Sequence, residues 1–155
     1  MLAELQNSLV AESLRGSTWV YPLVNAAHIL GFALLVGAIV PLDLRRLGLW
    51  RSVPVATLSR VLTPIAGAGL VIAVTAGVLL FITRAVEYAA SGLFQAKIGL
   101  VAIAVMNAIV FRRRGVQRSA AAPNHTSTIA ARGTALVSLL CWSAALLLGR
   151  LVGYF

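Results

Sequence analysis

The apolar residues of this chain fall into four runs, each long enough for a helix to cross a bilayer core of about 30 Å, which takes roughly 20 residues. The first extends from about Thr18 to Leu42, the second from Val61 to Thr83, the third from about Ala89 to Phe111 and the fourth from about Ile129 to Val152. Lipid offers no partner to backbone N–H and C=O groups, so each run is expected to be helical. Ser17 or Thr18 supplies a cap, and Trp19 and Tyr21 supply interfacial anchors, where the first run begins. Pro41 and Asp43 mark its exit, and Pro64 falls in the first turn of the second run, where a missing N–H matters little. Ahead of these runs, Leu2, Leu5, Leu9 and Leu14 share one helical face, away from Glu4, Gln6 and Glu12. A short interfacial helix is expected there, with an unstructured start as the alternative. The predicted fold is an all-α, integral-membrane four-helix bundle forming a single domain over residues 1–155.

Composition agrees: 60% of residues are hydrophobic, 11% are charged, and the mean hydropathy is +0.94. A net charge of +9 would suggest nucleic acid if the arginines formed a stripe on a soluble fold, but they cluster between the apolar runs. The first connection, 43–60, holds Arg45, Arg46, Arg51 and Arg60, and the third, 112–128, holds Arg112, Arg113, Arg114 and Arg118. The second has only Arg84 against Glu87. Short cytoplasmic loops retain Lys and Arg during insertion, so both basic connections are expected in the cytoplasm and both termini outside, in the periplasm of a bacterial inner membrane. No cleaved signal is expected, because Glu4 and Glu12 precede any arginine. The lone Cys141 permits neither an intrachain disulfide nor a paired-cysteine metal site.

Small residues recur at helical spacing as Ala33-xxx-Gly37, Gly69-xxx-Ala73-xxx-Gly77 and Cys141-xxx-Ala145-xxx-Gly149. Such spacing lets helices approach closely in lipid, so a compact bundle is expected, with a homodimer or a larger membrane complex as further assemblies. The segment Gly115–Thr128, containing Pro123 and the sequon Asn124-His125-Thr126, has the composition of a mobile connection in which the sequon is accidental.

An ionisable side chain inside a span is costly and usually faces a partner in the bundle interior, which singles out His28. Counted from Trp19, it lies roughly 13 Å deep, just short of the midplane on the outer side. Tyr21, Asn25, His28, Gly31 and Leu35 share its face. Lys97 lies about 9–12 Å into the third span from the same side, and Arg150 lies one to two turns from the outer end of the fourth. Two cations with only Glu87 as a nearby carboxylate require snorkelling or an anionic ligand. His28 itself admits two readings. It is a neutral imidazole bonded to a neighbouring helix carbonyl or to Asn25, or it is an axial ligand of b-type haem, with Lys97 and Arg150 at the propionates. His125 falls in a cytoplasmic connection, so a second histidine ligand needs a two-fold dimer; His28 with Cys141, or an open site, are the other arrangements.

The remaining polar residues suggest structure. Asp43 with Arg45 and Arg46 is expected as a solvated end-of-helix salt bridge, Asn107 as an interhelical hydrogen bond, Arg150 as an interfacial anchor, and Met106 and Cys141 as packing. The sequence contains no carboxylate pair, no nucleophile beside a base and no phosphate-cradling glycine loop, so an enzyme is not expected.

The segments Tyr21-Pro22, His28-Ile29-Leu30-Gly31, Leu35-Val36-Gly37 and Asp43-Leu44-Arg45-Arg46-Leu47-Gly48 resemble the signature of a bacterial family of small four-helix inner-membrane proteins. Lys97, Asn107, Gly149-Arg150 and Tyr154 extend the resemblance over nearly the whole chain. The family has no settled activity. The histidine followed by Gly-x-x-Leu-x-x-Gly is also loosely similar to copper-resistance membrane domains and small b-type cytochromes. A histidine that relatives carry at the end of the third span is absent here, where Phe111 meets Arg112. The expected function is a non-enzymatic, redox-associated module binding haem b or another ligand through His28, Lys97, Arg150, Asn25 and Tyr21, with His28 as the metal ligand. An accessory subunit of a membrane complex, and a small transporter or metal-handling protein, are the alternatives.

Overall fold

The computed structural model describes residues 2–119 and 129–152, without the side chains of 114–119 and 130. Its helices are α1 (Leu2–Gln6), α2 (Leu9–Gly16), α3 (Val20–Leu47), α4 (Val55–Thr83), α5 (Ala85–Ala90), α6 (Gly92–Ser119) and α7 (Ile129–Leu151). Four of them, α3, α4, α6 and α7, are long and apolar enough to cross a membrane, and between 6 and 22% of their most apolar windows is buried inside the protein. Val71, Ile103 and Leu140 are each more than half exposed. So much outward apolar surface suits lipid and not water.

The helices overrun the expected spans. Pro41 does not end the first, since α3 continues through it for six more residues and stops at Leu47. Gly48 closes α3 at φ 116°, a left-handed conformation natural to glycine, and its N–H reaches the Leu44 and Arg45 carbonyls. Behind Pro54, α4 starts at Val55 and not at Val61, so the connection expected over 43–60 shrinks to residues 48–54. Its carbonyls are tied down by arginine: Arg45 donates to Val53 and Arg51, and Arg51 donates to Gly48. The expected start of the third span, Ala89, falls in α5, and a break at Ser91 precedes α6. At the far end of α6 the helix takes in the beginning of the expected loop, up to Ser119; Pro123, the sequon, Tyr154 and Phe155 lie outside the described residues.

The N-terminal segment forms two helices instead of one. Of its four leucines only Leu14 is buried, beside Ala11, while Leu9 is 82% exposed. These helices cap the corner between α4 and α5. Arg15 Nη1 donates to the Thr83 carbonyl (2.8 Å), and Gln6 Oε1 accepts from the Val86 N–H (3.1 Å). An orphan acceptor at the end of α4 and an orphan donor at the start of α5 are thereby satisfied. The N-cap of α3 is Trp19, which makes no side-chain capping bond, rather than the expected Ser17 or Thr18; Ser17 Oγ accepts from the Val20 N–H from two residues farther back.

Packing is closest between α3 and α4, where backbone meets backbone. A Cβ on Gly31 would lie 2.5 Å from the Ala73 nitrogen, and one on Gly69 would lie 2.6 Å from the Leu35 nitrogen. Helix α7 packs between α3 and α6, around a core of Leu35, Ala104, Cys141 and Trp142. Phe32 meets Trp142 edge-on at 6.1 Å. Among the described residues, no Cα of α4 comes within 8 Å of one of α6. That side is bridged at the N-terminal end of the bundle by the stacked rings of Phe81, Tyr88 and Phe94, with Phe81 and Phe94 5.4 Å apart. The Ala33-xxx-Gly37 pair faces away from the bundle, and a Cβ on Gly37 would meet nothing within 4 Å.

Gly69→Val is therefore expected to force α3 and α4 apart and lower stability in micelles by about 2–3 kcal/mol. Gly67→Val, where added atoms meet open space, should change the unfolding midpoint little. Equal effects would contradict the close backbone contact.

Candidate functional site

Because Gly31, Gly69 and Ala73 bring the two backbones together, the ring of His28 can reach across to α4. Its Nδ1 lies 2.7 Å from the Ala73 carbonyl oxygen, which can only accept, so Nδ1 carries the shared proton. In the neutral imidazole the free lone pair is then on Nε2. Gly77 provides the space: a Cβ there would lie 3.0 Å from His28 Cε1 and 3.2 Å from Nδ1. Of the two bonds expected for a neutral imidazole, the one to a neighbouring helix carbonyl is formed, whereas Asn25 stands exposed on α3.

Lys97 is placed in the same way by a different helix pair. Half-buried on α6, it lies along α7 with Cε and Nζ each 3.3 Å from a Cβ built on Gly149. Lys97 is within electrostatic reach of His28, so both basic groups belong to the same end of the bundle. Among the described residues no carboxylate pairs with Lys97. The small-residue stripes of α4 and α7 thus do more than let backbones approach, because Gly77 and Gly149 each seat a basic side chain.

The other expected site residues lie around this pair. Arg150, next to Gly149, is exposed. Tyr21 is two turns from His28, about 10 Å along α3, and approaches Tyr88 of α5. Burial first, then Tyr21, raises the Tyr88 phenol above its ordinary value. Cys141 packs in the core with Leu35 and Trp142, away from His28, and Met106 departs from its expected packing role by facing outward, 62% exposed. Asn107 Nδ2 donates to the Thr134 carbonyl of α7 at 2.9 Å, as expected. Among the described residues no group of three His, Cys, Asp or Glu side chains is placed to hold a metal ion.

A second polar cluster occupies the opposite, arginine-rich end, where the expectation for Asp43 needs correction. Its carboxylate is 1% exposed, not solvated, because α3 continues past it and packs it toward Ser138 of α7. The Asp43 partner is Arg46 (Nη1 to Oδ1, 2.8 Å), while Arg45 turns to the connection. Arg46 also lies over the Phe111 ring at 4.3 Å. Asp43 Oδ2, Arg46 Nε and Trp142 Nε1 are buried without a hydrogen-bond partner. Sequence reasoning missed the burial of this pair and missed Trp142 altogether; Asp43 three residues before Arg46 was the only signal available.

Comparison with family models, curated proteins and solved structures returns no match. Residue chemistry therefore carries the functional reading. Arg46→Gln is expected to leave the Asp43 charge buried and uncompensated and to cost about 3 kcal/mol in stability. The double variant Asp43→Asn with Arg46→Gln should recover most of that loss, as read from unfolding in micelles; additive losses would contradict a coupled pair.

Proposed function

We propose that the chain is a non-enzymatic binding module of the bacterial inner membrane, taking a ligand at His28 and Lys97 with haem b as the candidate. One observation carries this reading: Nδ1–H of His28 is committed to the Ala73 carbonyl, which leaves Nε2 as the free nitrogen. Metal-ligating histidines are held by such a bond through the other ring nitrogen. His28 would hold the haem iron through Nε2. Lys97, with no carboxylate partner among the described residues, suits a propionate, and exposed Arg150 follows Gly149, the residue against which Lys97 lies. Among the described residues no second histidine lies nearby, so the group would be held by His28 alone or together with a residue of another copy. Bound there, haem would supply one-electron transfer. The chain's own part is to orient the imidazole, supply a compensating cation and restrict water.

The arrangement of charge supports both termini in the periplasm, since Arg45, Arg46, Arg51, Arg112 and Arg113 all belong to the end opposite the N-terminal helices. A second reading, an accessory subunit of a membrane complex or a homodimer, is favoured by Ala26, Ala33 and Gly37, exposed along one side of α3 where another helix could approach closely. Copurification of a stoichiometric partner from native membranes supports it, and a solitary monomer counts against it.

For the haem reading, protein produced with ample haem should show a Soret band that shifts on reduction with dithionite. His28→Ala should abolish it, and Gly77→Leu, which displaces the ring, should weaken it strongly. A colourless protein, negative in the pyridine haemochrome assay, would rule the haem reading out.

A further inference from the structure

At the N-terminal end of the bundle, a cavity of about 400 Å³ whose lining does not include His28 opens between the end of α2, the first turn of α3 and the end of α4. Its size is that of a small-ligand site. Arg15 and Arg84 line it together with the hydroxyl side chains of Ser17, Thr18 and Tyr21. Two guanidinium groups thus share one opening with the hydroxyls of Ser17, Thr18 and Tyr21, the Thr83 hydroxyl being donated to the Leu80 carbonyl, and no carboxylate belongs to the lining. Arg15 is held in place through Nη1 on the Thr83 carbonyl and has further N–H groups to offer. Arg84 contacts Glu87 at 3.4 Å, with both side chains 65% exposed, a weak surface pair that a better anion can displace. Beside the opening, Trp19, Val20 and Leu23 present exposed apolar surface, so the cavity sits where a polar headgroup meets hydrocarbon.

We propose that this cavity is a binding site for a phosphate-bearing anion, recognised by the guanidinium groups of Arg15 and Arg84 and by the hydroxyls of Ser17, Thr18 and Tyr21. Planar guanidinium donors match phosphate oxygens in pairs, and the hydroxyls can donate to those that remain. The apolar rim suits a phospholipid headgroup from the adjoining leaflet; a soluble phosphate monoester has the same chemistry. The site does not depend on haem or on His28.

Full-length protein in detergent can be titrated with phosphatidylglycerol or phosphatidylcholine and read by native mass spectrometry, and with glycerol 3-phosphate by calorimetry. The expected result is one retained phosphatidylglycerol, held in preference to phosphatidylcholine. Arg84→Gln, which removes a side chain whose recorded contact is only to Glu87, should weaken binding at least about tenfold. Glu87→Gln should strengthen it by about two- to fivefold, because Arg84 is released. Arg113→Gln, an exposed charge at the opposite end, should have no effect. Binding of glycerol 3-phosphate with the same dependence on Arg84 supports the site with a soluble ligand as its source. If neither probe binds, or if Arg84→Gln and Arg113→Gln act alike, the proposal is overturned.

Discussion

Gly31 and Gly69 bring two helix backbones to a separation at which no additional Cβ fits, and this contact sets the position of the side chains around it. With α3 and α4 so close, an imidazole on one helix reaches a carbonyl on the other, and the glycine one turn beyond that carbonyl leaves room for the ring. In lipid, helices are not driven together by burial of apolar surface, so association rests on such close packing and on polar contacts between helices. The α3–α4 pair has both. The α6–α7 pair repeats the principle, with Gly149 beneath Lys97 and the bond from Asn107 to Thr134.

Charge is distributed between the two ends with different roles. At one end arginines act on the protein itself: Arg45 and Arg51 satisfy the carbonyls of a short connection, and Arg46 neutralises a buried carboxylate while covering Phe111. At the other end, Lys97 has no carboxylate partner among the described residues, Arg84 has only an exposed contact to Glu87, and Arg15 and Arg84 line an open cavity. The arginines thus serve loop closure, internal pairing and, with Arg15 and Arg84, the lining of one opening near the N-terminal end.

The four long helices were legible because the apolar runs are long and lipid leaves the backbone no alternative to helix. Their ends were less so. Pro41 looked like a stop, yet a long membrane helix can carry a proline within it, and Gly48, with its left-handed backbone, is the true terminus. His28, Lys97 and the bond from Asn107 could be singled out since polar groups are conspicuous in apolar runs. The identity of the His28 partner could not, because Ala73 contributes a backbone carbonyl, which every residue possesses. Asp43 was misjudged for a related reason: whether a carboxylate at the end of a run is wet depends on where the helix stops and what packs over it. Arg15 gave no signal, as its role arises from the way α2 docks on the end of α4.

The central claim, that the glycine-lined contact holds His28 with Nδ1 protonated toward α4, can be tested by nitrogen-15 NMR of protein labelled at histidine. Only His28 and His125 contribute, and a His125→Gln variant isolates the first. The expected spectrum at neutral pH shows a hydrogen-bonded Nδ1–H and an unprotonated Nε2. A proton resident on Nε2 with a bare Nδ1, or rapid exchange between the two forms, would contradict it.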